Sequence, residues 1–438
     1  MWCAFSGRAG RGGFYASIVI LAATGLLTPN AALAQCTDTF SGFVAAGAPP
    51  GAIATTPTQN VFPLGVGASL NAVVSTMNTV NTAFLLPSSA FVAGRGNAQP
   101  GDIGGGVWGR AVVGSVDTKS ETSGRIDVTQ THGGFGGGPI PPVPGSGTCR
   151  GILHENYAGY QFGFDLATLN IGRSGANLHF GLTAGYFDSR LKDTTPGANE
   201  PSSGTILFSP PGSFRSDTQV PFLGLYTVFT QGNFFADGQV RQDFYLMRFT
   251  DPLNGLADQS QLARGVSLGG NTGYKIPLPS QWFIEPSGGL LWSRVQVDPI
   301  STPGSALFQF LNAGSVRIDD IESLMGRVSI RIGTTLTDGK VSWQPFVTGT
   351  VFREFAGNAT ATSRIAGPDT VTIGGLTVPN GFKDQIFHAE TTRIGTYGQI
   401  GVGATAAFGN WLGYGRFDYK TGENVEGLNF SAGVRYTW

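Results

Sequence analysis

The last eleven residues of the chain alternate strictly between two kinds of side chain. Every second one is apolar or aromatic, and these residues are Leu428, Phe430, Ala432, Val434, Tyr436 and Trp438. Because successive side chains of a strand point to opposite faces, one face of such a strand can meet lipid while the other meets a polar lumen. About ten tilted residues cross a bilayer, so the pattern predicts the closing strand of an outer-membrane β-barrel.

The first residues of the chain indicate export. Arg8 and Arg11 precede an apolar run, and a short stretch of small residues ends at Ala34. This order of charged, apolar and small residues is typical of a secretory signal, with cleavage expected between Ala34 and Gln35. We therefore expect residues 1–34 to be a signal peptide.

Cleavage at that point leaves two cysteines, Cys36 and Cys149. Gln35 is larger than the small residue that precedes a lipidated cysteine, which argues against a lipoprotein. In an oxidising compartment the two thiols can form a disulfide that closes a large ring. The alternative, two free thiols, stays equally open.

Composition favours a membrane barrel over an ordinary soluble enzyme. The chain has 67 glycines, 25 prolines and 13% charged residues, against a usual charged fraction of about 25%. After the signal, no run approaches the roughly eighteen apolar residues of a membrane helix. A membrane span would have to be a closed barrel, because an open sheet leaves backbone groups unsatisfied in lipid.

The net charge of −1 and the lack of a basic block argue against nucleic acid as a partner.

Twelve alternating segments predict twelve strands. They cover residues 107–116, 156–170, 177–190, 218–230, 234–248, 263–276, 282–297, 316–336, 341–353, 391–407, 411–420 and 428–438. The links after even-numbered strands are short, as at 231–233, and those after odd-numbered strands are mostly long, as at 117–155. Outer-membrane barrels have short periplasmic turns and long outer loops. We therefore predict an all-β, twelve-stranded antiparallel transmembrane β-barrel with a periplasmic C-terminus and extracellular long loops.

Charged residues collect on one face of these strands, which we assign to the lumen. The predicted lumen polar network comprises Asp237, Arg241, Asp243, Glu285, Arg327, Arg331, Arg416 and Asp418. Inside a small barrel such residues either form a paired network that orients a central element or serve as ordinary polar lining. Both interpretations stay open.

The segment before the first strand is unusual because residues 39–94 contain no Asp, Glu, Lys or Arg. Apolar residues recur there at helical spacing, namely Leu70, Val73, Val74, Met77, Val80 and Phe84. The spacing predicts a helix over 69–86, about 27 Å long, which matches the height of a bilayer core. We divide the mature chain into an N-terminal segment over 35–105, with this helix in the pore, and a barrel over 106–438.

Short motifs in the strands give the chain a family likeness. They include Val107-Trp108-Gly109-Arg110, the segments 159–165 and 181–186, and Gly433-Val434-Arg435-Tyr436-Thr437-Trp438. In order and spacing the chain resembles the C-terminal translocator barrel of autotransporters, the type V secretion family of Gram-negative bacteria.

The resemblance implies an outer-membrane barrel whose preceding helix occupies the pore and whose N-terminal passenger reaches the cell surface. It also implies insertion by the barrel-assembly machinery, which reads the last strand with its terminal aromatic. Here the passenger is vestigial, because residues 35–69 are too few to bury a core of their own.

We find no catalytic, metal or cofactor site in the sequence and do not expect an enzyme. The histidines His132, His154, His179 and His388 lack metal-ligand spacing, and Gly145-Ser146-Gly147, the nearest match to a nucleophile elbow, is expected in a loop. His154, His388, Asp188 and Glu390 are expected near the outer rim as solvated residues. Two alternative functions stay open: a small porin or channel, and a surface adhesin whose loops bind an extracellular ligand.

Overall fold

Long alternating segments fold as strands, and one uncharged segment folds as a helix. The structure, a computed structural model, describes residues 36–39, 61–84, 99–130, 145–194, 214–251, 256–302, 314–365, 370–373, 376–379 and 383–438. The predicted signal peptide, with its cleavage site at Ala34 and Gln35, lies outside these residues, as does His132. The described residues form one α-helix, α1 (Val61–Ala83), and twenty-one strands.

Twelve of these strands form the barrel wall. Their bounds are β2 (Ile103–Gln130), β3 (Gly145–Ile171), β4 (Ala176–Asp193), β5 (Arg215–Gln231), β6 (Phe234–Asp251), β7 (Leu256–Tyr274), β9 (Trp282–Val297), β12 (Ile321–Thr334), β14 (Val341–Glu354), β19 (Thr396–Phe408), β20 (Trp411–Gly422) and β21 (Val425–Thr437). The shorter strands are β1 (Cys36–Thr39), β8 (Ile276–Pro277), β10 (Ile300–Thr302), β11 (Gly314–Ile318), β13 (Leu336–Asp338), β15 (Ala359–Ile365), β16 (Thr370–Ile373), β17 (Leu376–Pro379) and β18 (Lys383–Thr391). A 3-10 turn covers Pro279–Gln281.

Each wall strand pairs antiparallel with its neighbours along the chain, and the last strand closes the ring against the first. β21 pairs with β20 on one side and with β2 on the other, where Val434 lies opposite Gly109. A closed ring leaves no unpaired strand edge in lipid. The twelve-stranded antiparallel barrel predicted from the sequence is confirmed.

Side chains alternate between the outer surface and the lumen. In β12, Val328 and Ile330 are exposed at 68% and 51%, whereas Arg327 and Ser329 are buried. A wall with large apolar side chains outside and polar ones inside is typical of a barrel that faces lipid. In the terminal strand, Leu428, Phe430 and Val434 likewise face outward.

The two ends of the barrel carry different connections. At one end, which we call the turn end, β5 joins β6 through Gly232-Asn233, and β19 joins β20 through Gly409-Asn410. Both glycines have φ of +57°, the left-handed conformation that two-residue hairpin turns require. The opposite end, which we call the loop end, carries the extended hairpin of β2 and β3.

Several predicted boundaries are wrong. The predicted loop over 117–155 is largely paired, because β2 continues to Gln130 and β3 begins at Gly145, and Ile126 still lies opposite Gly145. Ser146 accordingly lies in a strand rather than in the expected loop. The predicted strand over 316–336 is divided among β11, β12 and β13.

Beyond the wall, the loop end carries a second layer of strand pairing, which we call the rim sheet. It comprises β10, β11, β15, β18, the loop-end parts of β2 and β3, and β1. Near Thr118 the partner of β2 changes from β21 to β18. Strands about ten residues long suffice to cross a bilayer, so these additional residues extend past the membrane-spanning wall.

The helix α1 lies inside the barrel and contacts β2, β3, β4, β5, β15 and β18. Two contacts show its direction: Asn71, near the middle of the helix, lies beside Ser120, and Phe84, directly after its C-terminal end, lies beside Arg110. Since β2 runs from the turn end to the loop end, α1 begins near the loop end and descends into the barrel. None of the described helices is both long and apolar enough to cross a membrane.

Candidate functional site

Over residues 67–81 the helix inside the barrel is covered on every face. Leu70, Met77 and Val80 are fully buried, and Asn71 and Ser75, on other faces of the helix, are also buried. Because side chains at helical spacing point in all directions, burial at all of these positions means that the wall surrounds the helix. The candidate functional site is therefore the lumen together with α1.

A single carboxylate on the wall binds the middle of the helix. Ser75 Oγ and Thr79 Oγ1 both donate to Glu155 Oε2, at 2.9 and 2.8 Å. The other oxygen, Oε1, accepts from Ser189 Oγ on β4 at 2.6 Å. Glu155 has no solvent exposure. A buried carboxylate loses its hydrogen bonds to water, and these three hydroxyls replace them.

One amide binds the helix nearer the loop end. Asn71 Nδ2 donates to Ser120 Oγ at 2.8 Å and to Thr122 Oγ1 at 3.1 Å, both on β2. The hydroxyl of Thr391, at the end of β18, donates to Asn71 Oδ1. The amide thus uses both its donor and its acceptor, and it links α1 to two strands of the rim sheet.

Cationic side chains surround the C-terminal end of the helix. Arg110 Nη2 donates to the carbonyl oxygen of Phe84 at 2.7 Å, Arg241 Nη2 donates to Asn81 Oδ1 at 3.1 Å, and Lys420 Nζ lies 3.2 Å from Thr82 Oγ1. The last carbonyls of a helix carry partial negative charge and lack partners within the helix. Arg110 therefore satisfies one of these carbonyls, while Arg241 and Lys420 place positive charge near the negative end of the helix.

Closer to the turn end, Asp165 is the centre of a buried ion pair. Arg435 donates to both of its carboxylate oxygens, at 2.7 and 2.8 Å, and His179 Nδ1 lies 2.7 Å from Oδ1. Tyr226 donates to Oδ2 at 2.8 Å and itself accepts from Trp108 Nε1 at 2.7 Å. This network joins β21, β3, β4, β5 and β2 and connects the closing strand to the wall.

The structure places the eight residues of the predicted lumen network along the inside of the wall. Arg241 pairs with Asp243 at 2.6 Å, Arg416 with Asp418 at 2.6 Å, and Arg331 with Glu285 at 2.6 Å. Arg327 reaches Asp237 through an amide: Arg327 Nε donates to Asn271 Oδ1 at 2.9 Å, and Asn271 Nδ2 donates to Asp237 Oδ1 at 2.8 Å. Of the eight residues, Arg241 alone hydrogen-bonds to α1 directly among the described contacts.

Several residues that bind the helix or the closing strand were missed in the sequence. They are Asn71, Arg110, Glu155, Asp165 and Arg435. A signal for two of them is present, because Glu155 and Asp165 are separated by an even number of positions within one strand and therefore share its inward face. The even spacing predicts that both residues face inward, but it does not predict which residue each of them contacts.

His154, His388 and the acidic residues expected at the rim lie apart from this network. His154 Nδ1 lies 2.6 Å from Asp117 Oδ1, His388 lies 3.3 Å from the hydroxyl of Thr362, and both pairs are exposed. Glu390 accepts from Asn358, and Asp188 lies 3.9 Å from Arg190. Within the part of the chain that the structure describes, no group of three or more His, Cys, Asp or Glu residues is arranged to hold a metal ion.

Comparison with known proteins places this barrel in a family. The model of the autotransporter β-domain matches residues 152–418. The chain belongs to the autotransporter β-domain family. No curated protein sequence matches the chain. Translocator domains of this family are outer-membrane transport barrels, so the chain forms an outer-membrane barrel whose apolar exterior meets membrane lipid.

Solved autotransporter structures are similar to the chain. The β domain of BrkA from Bordetella has 17% identity and a TM-score of 0.47, covering 76% of this chain and 98% of that one. The transport unit of AIDA-I from Escherichia coli has 14% identity and a TM-score of 0.48, covering 83% and 97%. The translocator domain of NalP from Neisseria meningitidis has 16% identity and a TM-score of 0.41, covering 87% and 99%.

Proposed function

We propose that this autotransporter barrel keeps α1 inside the pore and displays the rim sheet at the cell surface. The observation that carries the proposal is the complete burial of α1 from Leu70 to Val80 together with its hydrogen bonds to the wall. A helix that passed through the pore only transiently would not need buried polar partners along its length. We assign the barrel a display role rather than a catalytic one.

The proposed orientation puts the turn end in the periplasm and the rim sheet outside. Short periplasmic turns and longer outer segments are usual in outer-membrane barrels. In this orientation Trp438 is periplasmic, and β1 lies on the outer side. We also propose that the barrel-assembly machinery inserts the chain by reading the outward row from Leu428 to Trp438.

The displayed surface is built mainly from the barrel itself. Residues 35–60 are too few to form a core of their own. The extended hairpin of β2 and β3 and the strands β11, β15 and β18 instead supply an ordered surface beyond the membrane. An extracellular ligand, if the sheet has one, would bind there.

Single-channel recording in planar bilayers tests the pore assignment. We expect low conductance from the intact protein and a large increase when residues 36–98 are deleted, because the deletion removes α1 and leaves the wall strands. Equal conductance of the two proteins would contradict the proposal. Heat-modifiable migration on gels provides the control that the deleted barrel has folded.

Point variants refine this test. Ser75→Ala with Thr79→Ala removes both helix donors to Glu155 and is expected to raise the frequency of open events. Ser189→Ala is the matched control, since it removes a wall donor to the same carboxylate without changing the helix. Similar opening frequencies in both variants would argue against retention by the helix contacts.

Antibody binding to intact cells tests the orientation. A peptide tag inserted near residue 138, between β2 and β3, is expected to bind antibody on intact cells. The same tag inserted between Gly172 and Gly175, at the turn end, is expected to bind only after the outer membrane is permeabilised. The reverse pattern would overturn the orientation.

A further inference from the structure

The short strand β1 occupies a free edge of the rim sheet. The wall pairing between β3 and β4 ends with Leu153 opposite Asp193, so the loop-end part of β3 has no partner from β4. Residues Cys36–Thr39 take that edge and pair antiparallel with Ser146–Cys149. β1, which precedes α1 in the chain, is therefore an added strand at the edge of the rim sheet.

The register of this added strand places two cysteines directly opposite each other. Cys36 is the pairing partner of Cys149, and the next pair is Thr37 with Thr148. Directly opposite residues of an antiparallel pair have Cα atoms about 4.5–5.5 Å apart. A disulfide needs Cα atoms about 4.4–6.8 Å apart, so this backbone position suits one. Beyond the predicted signal peptide, the chain contains only these two cysteines.

We propose that Cys36 and Cys149 form a disulfide that fixes β1 to β3 and thereby attaches the chain before α1 to the barrel. The proposal deepens the display function and rests on it for the position of β1 outside the membrane. The two thiols lose two protons and two electrons as the S–S bond forms. A protein or low-molecular-weight disulfide accepts them by thiol–disulfide exchange and is itself reduced to two thiols.

The consequence follows from chain connectivity. The bond closes a covalent ring that runs from Cys36 through α1 and β2 to Cys149. Because β2 is paired on both sides within the wall, both ends of the segment that contains α1 stay attached to the barrel until the disulfide or the strand pairing breaks. The ring also restrains the unfolded chain, which favours the folded barrel.

Thiol labelling of the full chain tests the bond. Outer membranes are prepared without reductant, denatured and treated with a maleimide. We expect no labelled cysteine before reduction and two labelled cysteines after it. Two labelled cysteines without reduction would overturn the proposal.

A cleavage site distinguishes an internal disulfide from one to another molecule. A specific protease site is inserted near residue 50 and cut on intact cells. The fragment that contains Cys36 is expected to stay with the barrel in non-reducing gels and to separate when a reductant is added. Release without reductant, or a bond to another protein, would overturn the proposal.

Moved cysteines test the register. In a chain with Cys36→Ser and Cys149→Ser, adding Asp38→Cys and Gly147→Cys should restore the disulfide, because these two positions also lie opposite each other. The matched control pairs Asp38→Cys with the native Cys149 in a Cys36→Ser chain. Its cross-linked fraction should be several-fold lower, and equal cross-linking would overturn the proposal.

These results are separable from those for the pore. A reduced Cys36 in a barrel of low conductance would reject the disulfide and leave the display function in place. High conductance of the intact, disulfide-bonded chain would reject the retained helix while leaving the bond established.

Discussion

The loop half and the turn half of the lumen are filled by different chemistry. In the loop half the helix is uncharged, and hydroxyl and amide groups bind it to the wall, with Glu155 as the carboxylate at its middle. In the turn half, arginines and carboxylates join one wall strand to another, as Arg435 and Asp165 do. The helix itself thus contributes only neutral groups to these contacts, whereas ion pairs connect the wall.

This difference separates two kinds of stability. Neutral hydrogen bonds contribute about 0.5–1.5 kcal/mol each and those to a charged group about 1.5–3 kcal/mol, so each single contact of the helix contributes moderately. Removing one partner of a buried ion pair leaves a charge without compensation and costs about 3–5 kcal/mol. We therefore expect changes in the turn half to weaken the whole barrel and changes in the loop half to act mainly on α1.

The largest effect is expected from Asp165→Ala. The substitution leaves Arg435, which is 1% exposed, without its carboxylate and removes the acceptor of Tyr226. The barrel should lose about 3–5 kcal/mol, measured as a lower urea midpoint for folded, heat-modifiable protein. Asp165→Asn keeps an acceptor and should lose less. If Asp165→Ala unfolds at the wild-type midpoint, the turn half does not stabilise the wall as described.

A smaller and local effect is expected from Glu155→Ala. Ser75, Thr79 and Ser189 would lose a shared acceptor, at a cost of about 1–3 kcal/mol. Hydrogen exchange should become faster in α1 and remain slow in β20 and β21. Glu155→Gln, which keeps an acceptor, is the control. Faster exchange throughout the wall would show that the two halves are not separate.

Much of the wall could be predicted because strand alternation is a local signal. The alternation of side chains along each strand is visible in the sequence. It predicts that Arg327, Arg331 and Arg416 face inward, whichever strands pair with theirs. Partner choice is not local. Arg435 and Asp165 lie 270 positions apart and come together only because β2 closes the barrel between β21 and β3.

The helix and the rim sheet illustrate the same limit. The apolar spacing predicts a helix that begins at residue 69, whereas α1 begins at Val61. Pro63 is a signal for this earlier start, because proline is tolerated in the first turn of a helix. The polar run from Lys119 to Gln130 lies within the predicted loop over 117–155. Its strand form depends on pairing with β3 and β18, which composition does not reveal.

A still smaller effect is expected from Asn71→Ala. The substitution removes hydrogen bonds to Ser120, Thr122 and Thr391 but leaves hydroxyls that can bond to one another. The expected cost is about 1 kcal/mol, confined to the loop-end part of α1. Protection from hydrogen exchange should fall around residue 71 and stay unchanged around Thr79. A uniform loss along the helix would indicate that α1 is held as one unit, and the separate anchoring sites would then be wrong.

The smallest effect is expected from the rim, where Arg294 and Asp320 form an ion pair in water. The hydrogen bond from Arg294, followed by that from Gln296, lowers the pKa of Asp320 below its ordinary value of 3.8. A depressed carboxyl pKa stabilises the fold above the ordinary value, and this contribution disappears as the pH falls through the lowered one. Because the pair is largely solvated, screening leaves only a slight effect. Asp320→Asn should therefore match wild type at pH 7 and show a slightly weaker loss of thermal stability between pH 5 and 3. A loss at pH 7 as large as that of Asp165→Ala would contradict the contrast between a buried ion pair and a solvated one.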